Sequence, residues 1–284
     1  MTTLHRSLSA LLGSVPLFVL AGAAHASLYL NQIGPNISYT NINEFDSQIV
    51  GPPPVSSTPT GLFGAPVLSP PGSDNLTFPS LTFSVLVADG QFELQDGKLI
   101  MDIAPTSPSG AIHSLNFDEG GAWRVLGPDS NETPATATTV EATLLFNDVQ
   151  ITSVNDVPLA TPIVVLPKFT SDAVIQVGTA DTIASQGDVT IKSAGVTGIG
   201  IWDITASFNL DAALAAADLT GKVTGASVAL DNELFAQTSS LPTLTLGSID
   251  KKHFDITPGI VPEPASISLL LGAAGLLMRR RRAV

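Results

Sequence analysis

A period of two in the apolar residues limits this chain to extended structure. From Trp202 to Leu210, the apolar residues Trp202, Ile204, Ala206, Phe208 and Leu210 alternate with Asp203, Thr205, Ser207 and Asn209. Successive side chains of an extended strand point to opposite faces, so such a stretch buries one face and wets the other. Leu81, Phe83, Val85 and Val87 repeat the pattern against Thr82, Ser84, Leu86 and Ala88. Further strands are expected at 99–103, 140–146, 163–166, 173–177, 189–191, 223–230 and 241–246. The 24 glycines and 21 prolines supply turns between them. Asp-Gly adopts the positive φ angles of tight turns, so Asp89-Gly90 and Asp96-Gly97 are read as successive hairpin turns around 91–95. One helix is expected over 211–219, preceded by Asn209 and stopped before Gly221. Many short strands at this spacing predict an all-β fold, a β-sandwich.

Seven prolines fall within 51–73, including Pro52-Pro53-Pro54 and Pro70-Pro71. This segment reads as an extended loop outside the core, separating a short piece, 28–50, from the strand-rich body. Gly121-Ala122-Trp123 and Gly200-Ile201-Trp202 hint at a duplicated unit, although two tripeptides do not establish a repeat. Both tryptophans are expected to anchor the core.

The ends follow other rules. Residues 1–26 pass from a weakly basic start with His5 and Arg6, through an apolar run, to Ala24-His25-Ala26. Small residues at those two alanines fit a signal-peptide cleavage site, which places the mature start at Ser27. At the other end Val261-Pro262-Glu263-Pro264 precedes a 14-residue apolar stretch, 265–278, and then Arg279-Arg280-Arg281-Arg282. As a helix that stretch covers about 21 Å, short of a hydrocarbon core of about 30 Å. The arginines can snorkel to the headgroups and hold the C-terminus on the cytoplasmic side. The prolines around Glu263 deny the backbone a helical ladder and present an extended peptide just outside the membrane.

Those last 24 residues resemble a PEP-CTERM sorting signal, the tail of exported bacterial proteins processed by a membrane-embedded exosortase. The resemblance implies that 261–264 is the recognition and processing element, that the helix is a temporary inner-membrane anchor, and that Arg279 to Arg282 hold it from inside. It also implies passage through Sec-type export machinery and signal peptidase, and a final place at the cell surface or outside it, commonly with exopolysaccharide or biofilm material. The segment from Gly221 to Ile256 also looks like sequence found before such tails.

The exported body, 27–260, holds 24 acidic and 7 basic side chains, a net charge of −17. Such a surface repels nucleic acid. The absence of cysteine excludes thiolate metal sites and cysteine nucleophiles. The body has two histidines. His113, with Ser114 and Asp118 or Glu119, could compose a triad on paper, but no Gly-x-Ser-x-Gly elbow exposes a nucleophile, and a strand histidine is usually a satisfied one. His253, after Lys251 and Lys252, reads as part of a solvated strand edge. Asp118 and Glu119 are adjacent in a strand and face opposite sides, so they cannot flank one glycosidic bond. Asp74-Asn75, Asn147-Asp148, Asn155-Asp156 and Asp231-Asn232 offer oxygen ligands for calcium, yet none has the spacing of a known calcium loop and all suit turns. No catalytic residue, metal ligand or resident cofactor is assigned. The expectation is a non-enzymatic envelope or matrix protein of structural or adhesive role. The alternative is a secreted carbohydrate-binding or carbohydrate-cleaving domain, and a calcium-stabilised surface module is a third.

Overall fold

The computed structural model describes residues 25–57, 61–127, 138–238 and 245–260. Residues 1–24 of the expected signal peptide 1–26, the Val261–Pro264 element, the 265–278 stretch, the arginines and most of the strand expected at 241–246 lie outside the described residues. Among the described residues, no helix is long and apolar enough to cross a membrane.

The body is built from β1 (His25–Leu28), β2 (Gln32–Ile33), β3 (Ile37–Gly51), β4 (Val55–Ser57), β5 (Val67–Leu68), β6 (Leu76–Thr77), β7 (Ser84–Ala88) and β8 (Phe92–Pro105). It continues with β9 (Ile112–Leu126), β10 (Thr139–Val154), β11 (Val157–Val164), β12 (Lys168–Ser185) and β13 (Asp188–Asn209). The helix α1 (Leu210–Ala216), β14 (Val223–Gln237) and β15 (Leu246–Ile260) complete it. The fifteen described strands join one antiparallel sheet, whose central order is β3-β8-β14-β10-β13-β9-β15.

This sheet curls on itself. The start of β13, Asp188–Lys192, pairs with β10, whereas its end, Gly198–Asn209, pairs with β9. One strand thereby carries the ladder from one layer into the other. Inside the curl Phe146 of β10 meets Phe117 of β9 and Phe208 of β13, each with ring centroids 4.7 Å apart and edge to face. On the far side, side chains do the joining. Gln95 of β8 donates to the Ser84 carbonyl and accepts from the Ser84 amide, both at 2.9 Å, so its amide imitates a neighbouring strand along the free edge of β7. The Leu86 amide donates to Glu93 in the same way.

The 202–210 alternation holds through β13, with Trp202, Ile204, Ala206 and Phe208 buried. The expected helix starts at Leu210 and is shorter than expected, ending at Ala216. Asn209 caps it by accepting from the Ala212 amide at 2.8 Å, which satisfies one of the orphan donors of a helix start. Asp89-Gly90 forms the expected turn, with φ of 50° and 86°.

Asp96-Gly97 is not a turn. Both residues lie inside β8, and Gly97 faces the core, where an added Cβ would stand 2.5 Å from Cζ of Phe83. Its lack of a side chain makes room for a ring. The Pro-rich segment also departs from expectation. It contains two short strands, β4 and β5, and Leu62 and Phe63 are buried in the core. The Gly61, Leu62 and Phe63 amides are held by buried Asp46 and Glu44, which is what docks this loop inward.

The two Gly-x-Trp tripeptides are ladder partners, not copies of a unit. Trp123 stands opposite Gly200, and Trp202 opposite Gly121, on one face of β9 and β13. Each glycine leaves the space that the other strand's indole fills, and both tryptophans are 2% exposed. Their ring N–H groups donate to the Ile201 and Asp250 carbonyls, both at 3.1 Å. The piece 28–50 does pair into the same sheet, through β3 against β8. The expected cleavage point between Ala26 and Ser27 falls within β1, where Ser27 and Leu28 pair with Glu44 and Asn43.

Candidate functional site

The chemistry of this body gathers around one irregularity. The pairing of β15 with β9 slips between Lys251 and His253. A bulge places one extra residue on one strand, so side chains that strict alternation would put on one face go to both. Lys251 turns into the core, and His253 turns outward over Gly120. Opposite them, Glu119 points inward beside Phe117, and Asp118 points out.

The inner cluster comprises Lys251, Glu119 and Asn232. Lys251 Nζ lies 2.7 Å from Glu119 Oε2, with both side chains fully buried. Lys251 Nζ also donates to Asn232 Oδ1, and Asn232 Nδ2 donates to the same Glu119 Oε2 at 2.6 Å. Asn232 comes from β14 in the facing layer, so the cluster bridges the core. Phe83, Phe254 and Phe63 surround the ammonium, with ring centroids 4.8, 5.6 and 5.8 Å from Nζ. Burial pulls the Lys251 pKa below its ordinary value, and the neighbouring Glu119 carboxylate only partly offsets this. Glu119 Oε1 is buried and has no hydrogen-bond partner.

The outer cluster comprises Asp118, Asp203 and His253, with one ligand atom from each within 4.8 Å of the others. His253 Nε2 is 3.8 Å from Asp118 Oδ2 and 3.9 Å from Asp203 Oδ2. An added Cβ at Gly120 would lie 2.6 Å from His253 Cε1, so only glycine lets the imidazole settle there. Burial and the adjacent Asp118 raise the Asp203 pKa. One imidazole and two carboxylates suit a divalent transition ion better than calcium, which prefers oxygen alone.

The other candidates expected from the sequence hold the fold. His113 pairs with Asp211 of α1, Nδ1 to Oδ2 at 2.6 Å, and not with Ser114 or Asp118. Asp74 accepts from the Asn36 and Ile37 amides at 2.8 and 2.9 Å. Asn147 donates to Asp231, Asp148 accepts from Gln150, and Asn155 and Asp156 take positive φ in a turn. Asn232, grouped with turn formers from its sequence, is instead buried. Lys251 and His253 do not form a solvated edge, because β15 has β9 on one side and β7 and β6 on the other. Lys251 keeps the inward parity of Gly247 and Ile249, but the bulge after it moves Phe254 and Ile256 to the opposite parity, so no single alternation runs through β15. Glu119 was legible, since it shares parity with buried Leu115 and Phe117.

Elsewhere, an apolar cleft of about 440 Å3 lies between α1 and 163–166. Its polar lining residue, Asn209, is already engaged as the helix cap.

No family model, curated protein or solved structure matches this chain.

Proposed function

We propose that this is an exported envelope or extracellular-matrix protein of structural or adhesive role, delivered by its signal peptide and sorted and processed at Val261–Pro264 by an exosortase. On this reading the body is a sandwich-like ectodomain, tethered for a time to the inner membrane by the 265–278 helix and its four arginines. It is then released to the surface or the surrounding exopolysaccharide. The observation that carries the reading is the position of β15. It runs to Ile260, the residue before the sorting element, and it is paired with β9 along its length. Tension entering from the C-terminus would pass straight into that ladder at its Ile260–Ile112 end. A tethered module benefits from that arrangement.

The carbohydrate alternative would draw support from exposed aromatic platforms, and both tryptophans are instead buried. The test is terminal mapping of the protein recovered from surface and medium fractions. An N-terminus at Ser27 and a C-terminus near Pro262 are expected. Recovery from the medium of a chain still carrying Arg279 to Arg282 would contradict exosortase processing.

A further inference from the structure

We propose that Lys251 and Asn232 join in an intramolecular isopeptide bond, formed by the protein itself with Glu119 as the proton carrier. The inner cluster has each part this reaction needs. An amine is an amide-forming nucleophile only when it has lost its proton, and full burial among three phenylalanines favours the neutral amine. Its target is in place, because Nζ contacts Oδ1 of the Asn232 amide. The same Glu119 oxygen touches both the attacking nitrogen, at 2.7 Å, and the leaving nitrogen, at 2.6 Å. A single carboxylate oxygen can therefore take a proton from one nitrogen and give it to the other. The unpartnered Oε1 leaves the other side of the carboxyl free to hold that proton in the meantime.

The step balances without any further reagent. The Lys251 ammonium passes a proton to Glu119, and the free amine attacks Cγ of Asn232. The carbonyl electron pair moves to Oδ1 and returns as the Cγ–Nδ2 bond breaks. Nδ2 leaves carrying the protons received through Glu119, and departs as ammonium, which restores the carboxylate. Lysine ammonium and side-chain amide become a secondary amide and ammonium. Fixed approach of the two groups replaces a bimolecular encounter, where effective molarities reach about 10^5 M or more. The apolar wall keeps water from competing for the same carbonyl.

The bond would tie β15 to β14 across the core, between the two layers and 19 residues apart in sequence. Left unreacted, a closed polar cluster of this kind adds little to stability, since the attraction within a buried ion pair seldom exceeds the desolvation of its two charges. Conversion to an amide removes the lysine charge and replaces the ion pair with a covalent tie, while the desolvation cost of the Glu119 carboxylate remains.

The test is a peptide map of the folded full-length protein as purified from the cells that export it. The expected product is a branched peptide joining the Asn232 and Lys251 segments, lighter than the two linear peptides by one ammonia, about 17 Da. Trypsin should fail to cut after Lys251. Glu119→Gln should give linear peptides only, while Lys252→Gln, which alters an exposed neighbour, should keep the branch. Linear peptides carrying unmodified Lys251 and Asn232 in the folded wild-type protein would overturn the proposal, as would Asn232 converted to Asp without a link. The wild-type map decides the matter even if Glu119→Gln fails to fold.

Discussion

Gly200→Ala gives the sharpest check on the reciprocal Trp–Gly packing, because the expected sign is unusual. At a strand position that can accept it, alanine for glycine stabilises by about 0.4–1 kcal/mol, through a less free unfolded chain. At Gly200 the new Cβ would lie 2.0 Å from the Val174 carbonyl oxygen on β12, and 2.5 and 2.6 Å from Cζ2 and Cε2 of Trp123. Comfortable carbon–oxygen contacts in sheets are about 3.3 Å or more, so β12 must move away from β13 by over an ångström. Overpacking of this kind costs about 1–3 kcal/mol, and a weakened ladder bond adds about 1 kcal/mol. Together these outweigh the entropic gain and leave a net loss of about 2–3 kcal/mol. For a body of this size the Tm should fall by roughly 4–12 °C in differential scanning calorimetry. Trp123→Leu in the same chain should not restore it, since the backbone carbonyl remains in the way. An unchanged or raised Tm for Gly200→Ala would refute the packing.

Two other predictions rest on the acidic groups and the side-chain seam. Burial raises Glu44 and Glu141 to about 7 and Asp96 to about 6, with Asp188 beside Glu141 and Asp231 beside Asp96 adding to the effect. The folded state then binds protons that the unfolded chain releases near pH 4, so their contribution is complete below about pH 4 and is lost as pH rises through 6 to 7. Tm at constant ionic strength should be higher at pH 5 than at pH 8, and Glu141→Gln should flatten the difference; a Tm that climbs with pH would count against it. Gln95→Leu should strip Ser84 of both its side-chain partners, at about 0.5–1.5 kcal/mol for each hydrogen bond lost, and should speed hydrogen exchange at the Ser84 amide while leaving β13 amides protected.

Much of the fold could be read from the chain. The alternation from Trp202 to Phe208 is strict because that strand faces a dry core on one side and a wetter face on the other, and Asn209 announced the helix. The failures have physical causes. Gly97 looked like a turn glycine, but its smallness serves the Phe83 ring, and a sequence does not say which use a glycine has. Leu62 and Phe63 sit among prolines, and their burial depends on Asp46 and Glu44, which lie outside that segment. The site was half legible. Glu119 and Lys251 each keep the inward parity of the residues before them, yet the bulge after Lys251 breaks the pattern of β15, and Asn232 arrives from the opposite layer. Long-range closure of this sort has no local signature.

A C-terminal strand tied across the core would resist pull, and stretching single molecules between Ser27 and Ile260 shows whether the tie exists. With Lys251 and Asn232 bonded, the 19-residue span between them is excluded from the extensible path. The wild-type contour length should then fall short of the Glu119→Gln value by about 65 Å, at about 3.4 Å per residue. Equal contour lengths for the two proteins would contradict it.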